Sequence, residues 1–112
     1  MIPAGVRIFV CTEPVDMRKS FDGLTGAARE KLGRDPVEGG LFVFANKRSN
    51  RLKILWVEGN GCCLLYKRLH RALFRLPSRV GESPAVPIDI QQLGAILEGI
   101  PTLPSKKLIA TH

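Results

Sequence analysis

The chain has 112 residues, a length that fits one domain and allows a buried core without a metal ion or a disulfide. Seventeen basic residues against ten acidic ones give a formal net charge of +7, which favours a polyanionic partner such as nucleic acid. No apolar run approaches the roughly 18 residues that span a bilayer, and residues 1–10 lack the pattern of a signal peptide. We therefore expect a cytoplasmic protein with no membrane partner.

The N-terminal part of the chain predicts a strand followed by a helix. Residues 6–11 form a short β-prone run. Asp16 is placed to cap a helix that stops at Gly33, because the apolar residues between them recur at spacings of three and four. The predicted buried face of this helix consists of Met17, Phe21, Leu24, Ala28 and Leu32.

Two cations, Arg18 and Lys19, would occupy the first turn of this helix. Positive charge is disfavoured there by the helix dipole. Two explanations stay open. Both side chains are simply solvated, or they hold an anion together with the free backbone N–H groups of the helix N-terminus.

Residues 41–69 predict an antiparallel meander. Three short apolar runs, 41–45, 52–57 and 62–69, are separated by a basic turn and a glycine-containing turn, which is the usual pattern of successive hairpins. Each run is apolar on both faces, so we expect the sheet to be covered by a helix on one face and by further chain or a partner on the other. Residues 73–76 are a candidate for a short edge strand.

The sequence after Pro77 predicts a loop over residues 78–87 and then a second amphipathic helix. Asp89 is placed as its N-cap, Gln92 completes a capping box, and Gly99 ends it.

The predicted fold is thus α+β: an antiparallel sheet of four to five strands, made of the meander over residues 41–76 plus the N-terminal strand, with two amphipathic helices. Residues 1–100 form the single domain, and residues 101–112 are expected to be a flexible tail.

The three cysteines do not form a recognisable metal or disulfide pattern. Cys11, Cys62 and Cys63 are odd in number, no CxxC occurs, and neighbouring strand residues point to opposite faces of a sheet. We expect three reduced thiols that serve as small core residues, with no metal ion and no cofactor.

The positive charge is concentrated in one part of the chain. Between Lys47 and Arg79 nine basic residues accompany a single acid, Glu58, so this segment accounts for the whole excess. Trp56 and Tyr66 lie in the same segment and would either pack in the sheet or stack on bases. The candidate phosphate contacts are Lys47, Arg48, Arg51, Lys53, Lys67, Arg68, Arg71 and Arg75, with Arg18 and Lys19 on the first helix.

The sequence contains no recognisable arrangement of catalytic residues. A two-metal nuclease needs a cluster of carboxylates, and no pair of acids here has a spacing that demands a shared metal ion. A Cys/His nucleophile pair would have to combine His70 with Cys62 or Cys63. Neither GxxxxGK[ST] nor GxGxxG occurs. We expect a protein without catalytic residues.

Several short motifs, in order, resemble a known family. They are Asp16-Met17-Arg18-Lys19-Ser20-Phe21-Asp22-Gly23-Leu24, then Leu41-Phe42-Val43-Phe44, Arg51-Leu52-Lys53-Ile54-Leu55, Gly59-Asn60-Gly61, Tyr66-Lys67-Arg68-Leu69, and Leu97-Glu98-Gly99-Ile100. Over about residues 6–100 the chain resembles the small TnpB, or Orf2-like, accessory protein of the bacterial insertion-sequence-sixty-six (IS66) family.

The resemblance implies a protein encoded beside a separate DDE-type transposase and needed for efficient transposition of the element. It implies no catalytic residues. Two functions stay open at this point. The protein contacts DNA through the basic residues given above, or it is a protein–protein adaptor that docks on the transposase and whose charge serves solubility.

Overall fold

The computed structural model describes residues 5–102. It contains two helices, seven strands and a single 3-10 turn at Pro36–Glu38 in this range. In chain order the elements are β1 (Ile8–Cys11), α1 (Phe21–Leu32), β2 (Leu41–Ala45), β3 (Arg51–Glu58), β4 (Gly61–Arg68), β5 (Ala72–Leu73), β6 (Ala85–Ile88), α2 (Ile90–Glu98) and β7 (Ile100–Pro101).

Five of the strands form one sheet in the order β4-β3-β2-β1-β6. The predicted α+β class is confirmed, and so is the meander β2-β3-β4, whose strands pair antiparallel. The prediction of a wholly antiparallel sheet is wrong, because β1 pairs parallel with β2. The physical reason is the connection: α1 carries the chain from one end of the sheet back to the other, and such a crossover joins parallel strands.

Strand β6 lies within residues that the sequence predicted to be mostly loop. It pairs antiparallel with β1 and places Pro87 opposite Phe9. Proline is compatible with this position because β6, like β4, is an outer strand of the sheet, where alternate residues need no N–H donor toward a neighbour. Residues 85–88 therefore form an edge strand although their proline favours a loop in the sequence.

The short strand expected at residues 73–76 is only partly present. Ala72–Leu73 pairs with Ile100–Pro101 in a separate two-stranded sheet. Phe74 instead buries its side chain against the main sheet and is 3% exposed. Pro101 and Thr102, the first residues of the predicted tail, thus pack beside residues 71–73, and Thr102 donates its N–H to the Arg71 carbonyl at 3.1 Å. The rest of the predicted tail lies outside the described residues.

Each face of the main sheet packs against one helix. The α1 face is the side on which Phe9, Phe42 and Leu55 contact Leu24 and Ala28 of α1. The α2 face is the opposite side, where Val10, Val43 and Ile54 pack with Phe74 and with Leu93 and Ile96 of α2. Strands that are apolar on both faces predicted a sheet covered on both sides, and the structure shows this arrangement. The second face is covered by this chain's own residues rather than by a partner.

The helix boundaries agree with the sequence except at the start of α1. Gly33 caps α1 in the left-handed region, with φ of 67°, and Asp89 and Gln92 form the predicted capping box of α2. Helix α1 begins at Phe21 rather than after Asp16, and Ser20 is its N-cap residue. Asp16 instead closes a turn of its own by accepting the Arg18 N–H at 2.8 Å.

The cysteines differ in burial. Cys11 is buried, and its desolvation raises the pKa of the thiol. Cys63 is half-buried and Cys62 is exposed. The prediction of core thiols is right for Cys11 and wrong for Cys62, which lies on the outer strand β4, where no further strand covers it among residues 5–102.

Candidate nucleic-acid interface

One end of the sheet gathers most of the predicted cations. β1 and β2 finish there at Cys11 and Ala45, and β3 begins there at Arg51. We call this the basic end, and it carries Lys47, Arg48, Arg51, Arg68, Arg71 and Arg75.

The turn between β2 and β3 forms the centre of the basic end. Its geometry comes from Asn46, whose side-chain oxygen accepts the N–H groups of Asn50 and Arg51 at 3.1 and 3.0 Å. The Asn46 amide also donates to the Asn50 side chain at 2.8 Å. Lys47 and Arg48 are exposed and take no part in these bonds. The turn therefore presents two cations that its own folding does not require.

Strand pairing adds two further cations beside the turn. Arg51 lies directly opposite Arg68 in the β3-β4 register, and both side chains lie on the α1 face. Directly opposed strand residues have Cβ atoms about 5 Å apart, and a pair of like-charged residues in this position is destabilising. An anion bound between these guanidinium groups would relieve that repulsion.

The segment after β4 folds back onto the same turn. Leu69 donates its N–H to the Asn50 carbonyl at 2.9 Å, and Phe74 donates to the Ser49 carbonyl at 2.7 Å. Because both ends of residues 69–74 are fastened to residues 49–50, Arg71 and Arg75 are held at the basic end. Cations separated by more than twenty positions in sequence thus share one surface.

Arg18 and Lys19 flank this surface on the α1 face. The segment that carries them is tied to the sheet by the Val15 N–H, which donates to Ala45 at 2.9 Å. Both residues precede α1, so the prediction that they occupy its first turn is wrong. The exposed Arg18 guanidinium hydrogen-bonds to Asp16 and lowers the pKa of that carboxyl to about 2.

Lys53 is not available as a surface contact. It is 7% exposed, and its Nζ donates to the Met17 and Lys19 carbonyls at 2.7 Å each. The amine also lies 4.8 Å from the centre of the Tyr66 ring. Lys53 therefore fastens the segment before α1 to the sheet. The clue in the sequence is a lysine in the middle of an apolar strand.

Lys67 is separated from the other candidates by the pleat of the sheet. Its position opposite Leu52 places it on the α2 face, and its Nζ donates to the Leu97 carbonyl at 2.8 Å. Cations near a helix C-terminus are favourable because the last carbonyls carry partial negative charge. Lys67 thus has a structural partner at the end of α2.

The remaining cations of the basic end differ in how far they are engaged. Arg51 donates to the Tyr66 hydroxyl at 2.8 Å. Within residues 5–102, no ion pair and no side-chain hydrogen bond engages Lys47, Arg48, Arg68, Arg71 or Arg75. Nearby Glu13 is already paired with Lys31 at 3.1 Å and with Arg79 at 3.5 Å. The basic end consequently offers several cations to an external anion.

The two candidate stacking residues have different surroundings. Trp56 is half-buried on the α2 face, and its indole N–H donates to Glu58 at 3.1 Å. Tyr66 is 49% exposed on the α1 face beside Arg51. Of the two, Tyr66 has the ring that an external group can reach.

Across the part of the chain that the structure describes, no three His, Cys, Asp or Glu side chains lie close enough together to bind a metal ion. No helix in the same range has the length and apolar character to cross a membrane.

Comparison with known proteins places the chain in a family. The model of the IS66 Orf2 like protein family matches residues 6–107. The uncharacterized protein y4hO of Sinorhizobium fredii (strain NBRC 101917 / NGR234) is 40% identical over 102 residues, which cover 89% of this chain and 87% of that protein. The uncharacterized protein y4jC of the same strain is 40% identical over 73 residues, or 65% of this chain and 62% of that protein. No solved structure is significantly similar. The chain therefore belongs to the IS66 Orf2-like family, which implies an accessory protein of insertion-sequence transposition.

Proposed function

We propose that this transposition accessory protein binds DNA through the phosphate contacts of the basic end and catalyses no reaction itself. The observation that carries the proposal is the set of five cations there without an ion pair among residues 5–102: Lys47, Arg48, Arg68, Arg71 and Arg75. The family is not a known class of enzymes. In the proposed role the protein acts in the bacterial cytoplasm with the separate transposase of its element.

The geometry of the basic end suits a backbone contact better than the recognition of a base sequence. The cations lie on a turn, a strand end and a folded-back segment rather than on a helix or ribbon that could enter the major groove. Contacts to phosphate position a protein on DNA and carry no sequence information. We therefore expect similar affinity for unrelated sequences.

The ten candidate contacts fall into cations that are available to a phosphate and cations whose amines are already bonded within the fold. Arg51 joins the five cations without an ion pair, because a guanidinium bonded to a hydroxyl still has donors left for a phosphate. Lys19 would extend the interface along the α1 face, and so would Arg18, whose guanidinium is bonded to Asp16 but remains exposed to solvent. Lys53 and Lys67 are left out because backbone carbonyls already hold their amines.

A second candidate is an adaptor that docks on the transposase without contacting DNA. The observation in its favour is the outer strand β4, eight residues long and without proline, with Leu65 and Tyr66 exposed. Such an edge presents unpaired backbone groups to which a strand of another protein can add. On this alternative the positive charge maintains solubility.

The salt dependence of DNA binding tests the first candidate. In the triple variant Lys47→Gln, Arg48→Gln, Arg68→Gln, each lost phosphate contact removes a slope of about −0.9 in log affinity against log salt. We expect the slope to flatten by roughly two to three units between about 50 and 200 mM salt, with equal weakening for unrelated sequences. The unfolding temperature should be unchanged or slightly raised, because these side chains make no folding contact.

The matched control removes three cations from another surface: Arg29→Gln, Lys31→Gln, Arg34→Gln. Arg29 and Lys31 already pair with Asp35 and Glu13, and the Arg34 guanidinium lies 4.0 Å from the centre of the Phe9 ring. The control should change the slope much less. An unchanged slope in the first variant would contradict the proposed interface, and a loss of transposase binding there would favour the adaptor.

A further inference from the structure

Tyr66 has an unusual position for a large aromatic residue. It lies on β4, an outer strand of the sheet, and is 49% exposed. Its cross-strand neighbour on the α1 face is Lys53, whose buried amine contacts the ring. No strand lies beyond β4 among residues 5–102, so no neighbouring strand covers the Tyr66 side chain on the outer side of β4.

The surroundings of the ring carry positive charge and fix its orientation. The Arg51 Nη1 donates to the Tyr66 hydroxyl at 2.8 Å, and the Lys53 Nζ lies 4.8 Å from the ring centre. Arg68 follows two residues later on the same face, toward the basic end. A side chain already held by two partners loses little conformational freedom when a ligand binds, which favours binding.

We propose that Tyr66 is a stacking platform for an unpaired base of single-stranded DNA whose phosphates contact the neighbouring Arg51 and Arg68. An exposed aromatic ring beside a row of cations is the arrangement by which single-strand sites combine base stacking with backbone contacts. A base inside a duplex is already stacked on both sides and cannot use the ring. The proposal rests on the proposed function and adds a preference for single-stranded or frayed DNA.

Trp56 does not offer the same site. Its ring packs against the core of the α2 face, and its indole N–H is engaged by Glu58. Trp56 also lies opposite Cys63 in the β3-β4 register and is five residues away from Arg51, so no arginine is its direct cross-strand neighbour. Of the two aromatic residues considered above, Tyr66 and not Trp56 therefore offers the stacking position.

The test uses the full chain and two single-stranded oligonucleotides of equal length. One has normal bases, and in the other the central bases are replaced by abasic sites, so that the number of phosphates is the same. The wild-type protein should bind the abasic strand about tenfold more weakly, since stacking contributes roughly 1–3 kcal/mol per base. Tyr66→Phe keeps the ring and should retain this difference. Tyr66→Leu should bind the normal strand about tenfold more weakly and should discriminate little between the two strands.

The outcomes separate this inference from the proposed function. Equal wild-type affinity for both strands, with a steep salt dependence, would overturn the stacking platform and leave the phosphate interface intact. Discrimination that survives in Tyr66→Leu would show that another group stacks on the base, and would also overturn it. If the wild-type protein binds neither strand at low salt, the phosphate interface fails and the stacking proposal fails with it.

Discussion

At the scale of single residues, Lys53 differs most from what its residue type suggests. A lysine in a basic segment is ordinarily a surface group, yet this side chain is buried and its amine satisfies two carbonyls. Burying an ammonium group is costly unless hydrogen bonds replace its water. Here the two carbonyls and the Tyr66 ring supply that replacement, so Lys53 links the segment before α1 to the middle of the sheet.

Replacing Lys53 with methionine should destabilise the fold by about 1–3 kcal/mol, because the Met17 and Lys19 carbonyls lose their shared donor. The measurement is the free energy of unfolding from urea denaturation at neutral pH. Lys67→Met is the matched control, since its exposed amine donates to one carbonyl, and it should cost under about 1 kcal/mol. Equal stability of the two variants would contradict the role assigned to Lys53.

At the scale of elements, the sequence predicted best what local chemistry determines. The strands β2, β3 and β4 follow from apolar runs between asparagine and glycine turns, and α2 follows from a capping box that the structure reproduces. The parallel pairing of β1 with β2 depends on contacts between residues about 33 positions apart, which local patterns do not encode. The sequence does not predict β6, because a proline such as Pro87 argues against a strand unless it lies on an edge strand, at the first residue of a strand or at a bulge.

The start of α1 shows how one residue type supports two structures. Aspartate caps helices, but it also closes short turns with its side chain, and Asp16 does the second. Its carboxylate accepts both the Arg18 backbone N–H and the Arg18 guanidinium. These bonds favour the ionised form and lower the Asp16 pKa to about 2.

This turn predicts a pH dependence with a defined sign. A carboxyl whose pKa is lower in the folded chain than in the unfolded one, where it is near 3.9, stabilises the fold above that value. The contribution is lost as the pH falls toward 2. An NMR titration should give a pKa of about 2 for Asp16 in the wild type, and a value closer to 3.8 in Arg18→Gln. A wild-type pKa near 3.8 would contradict the turn.

At the scale of the whole molecule, the fold determines which cations act together. The sequence shows that the charge excess lies between Lys47 and Arg79, but not that residues 69–75 return to the turn at residues 46–50. That return depends on backbone hydrogen bonds to Ser49 and Asn50, for which no sequence motif exists. The pleat of β4 then assigns Lys67 and Arg68 to opposite faces, although they are neighbours in sequence.

The central claim is that DNA contacts the basic end, and NMR mapping of backbone amides tests it most directly. On titration with a short DNA duplex at low salt, the largest shift changes should fall within residues 46–50 and 68–75, with smaller ones at residues 16–20. The turn at residues 59–60, at the other end of β3 and β4, is the internal control and should not respond. Changes confined to α2 or to that turn, or an identical response in the triple variant Lys47→Gln, Arg48→Gln, Arg68→Gln, would contradict the account.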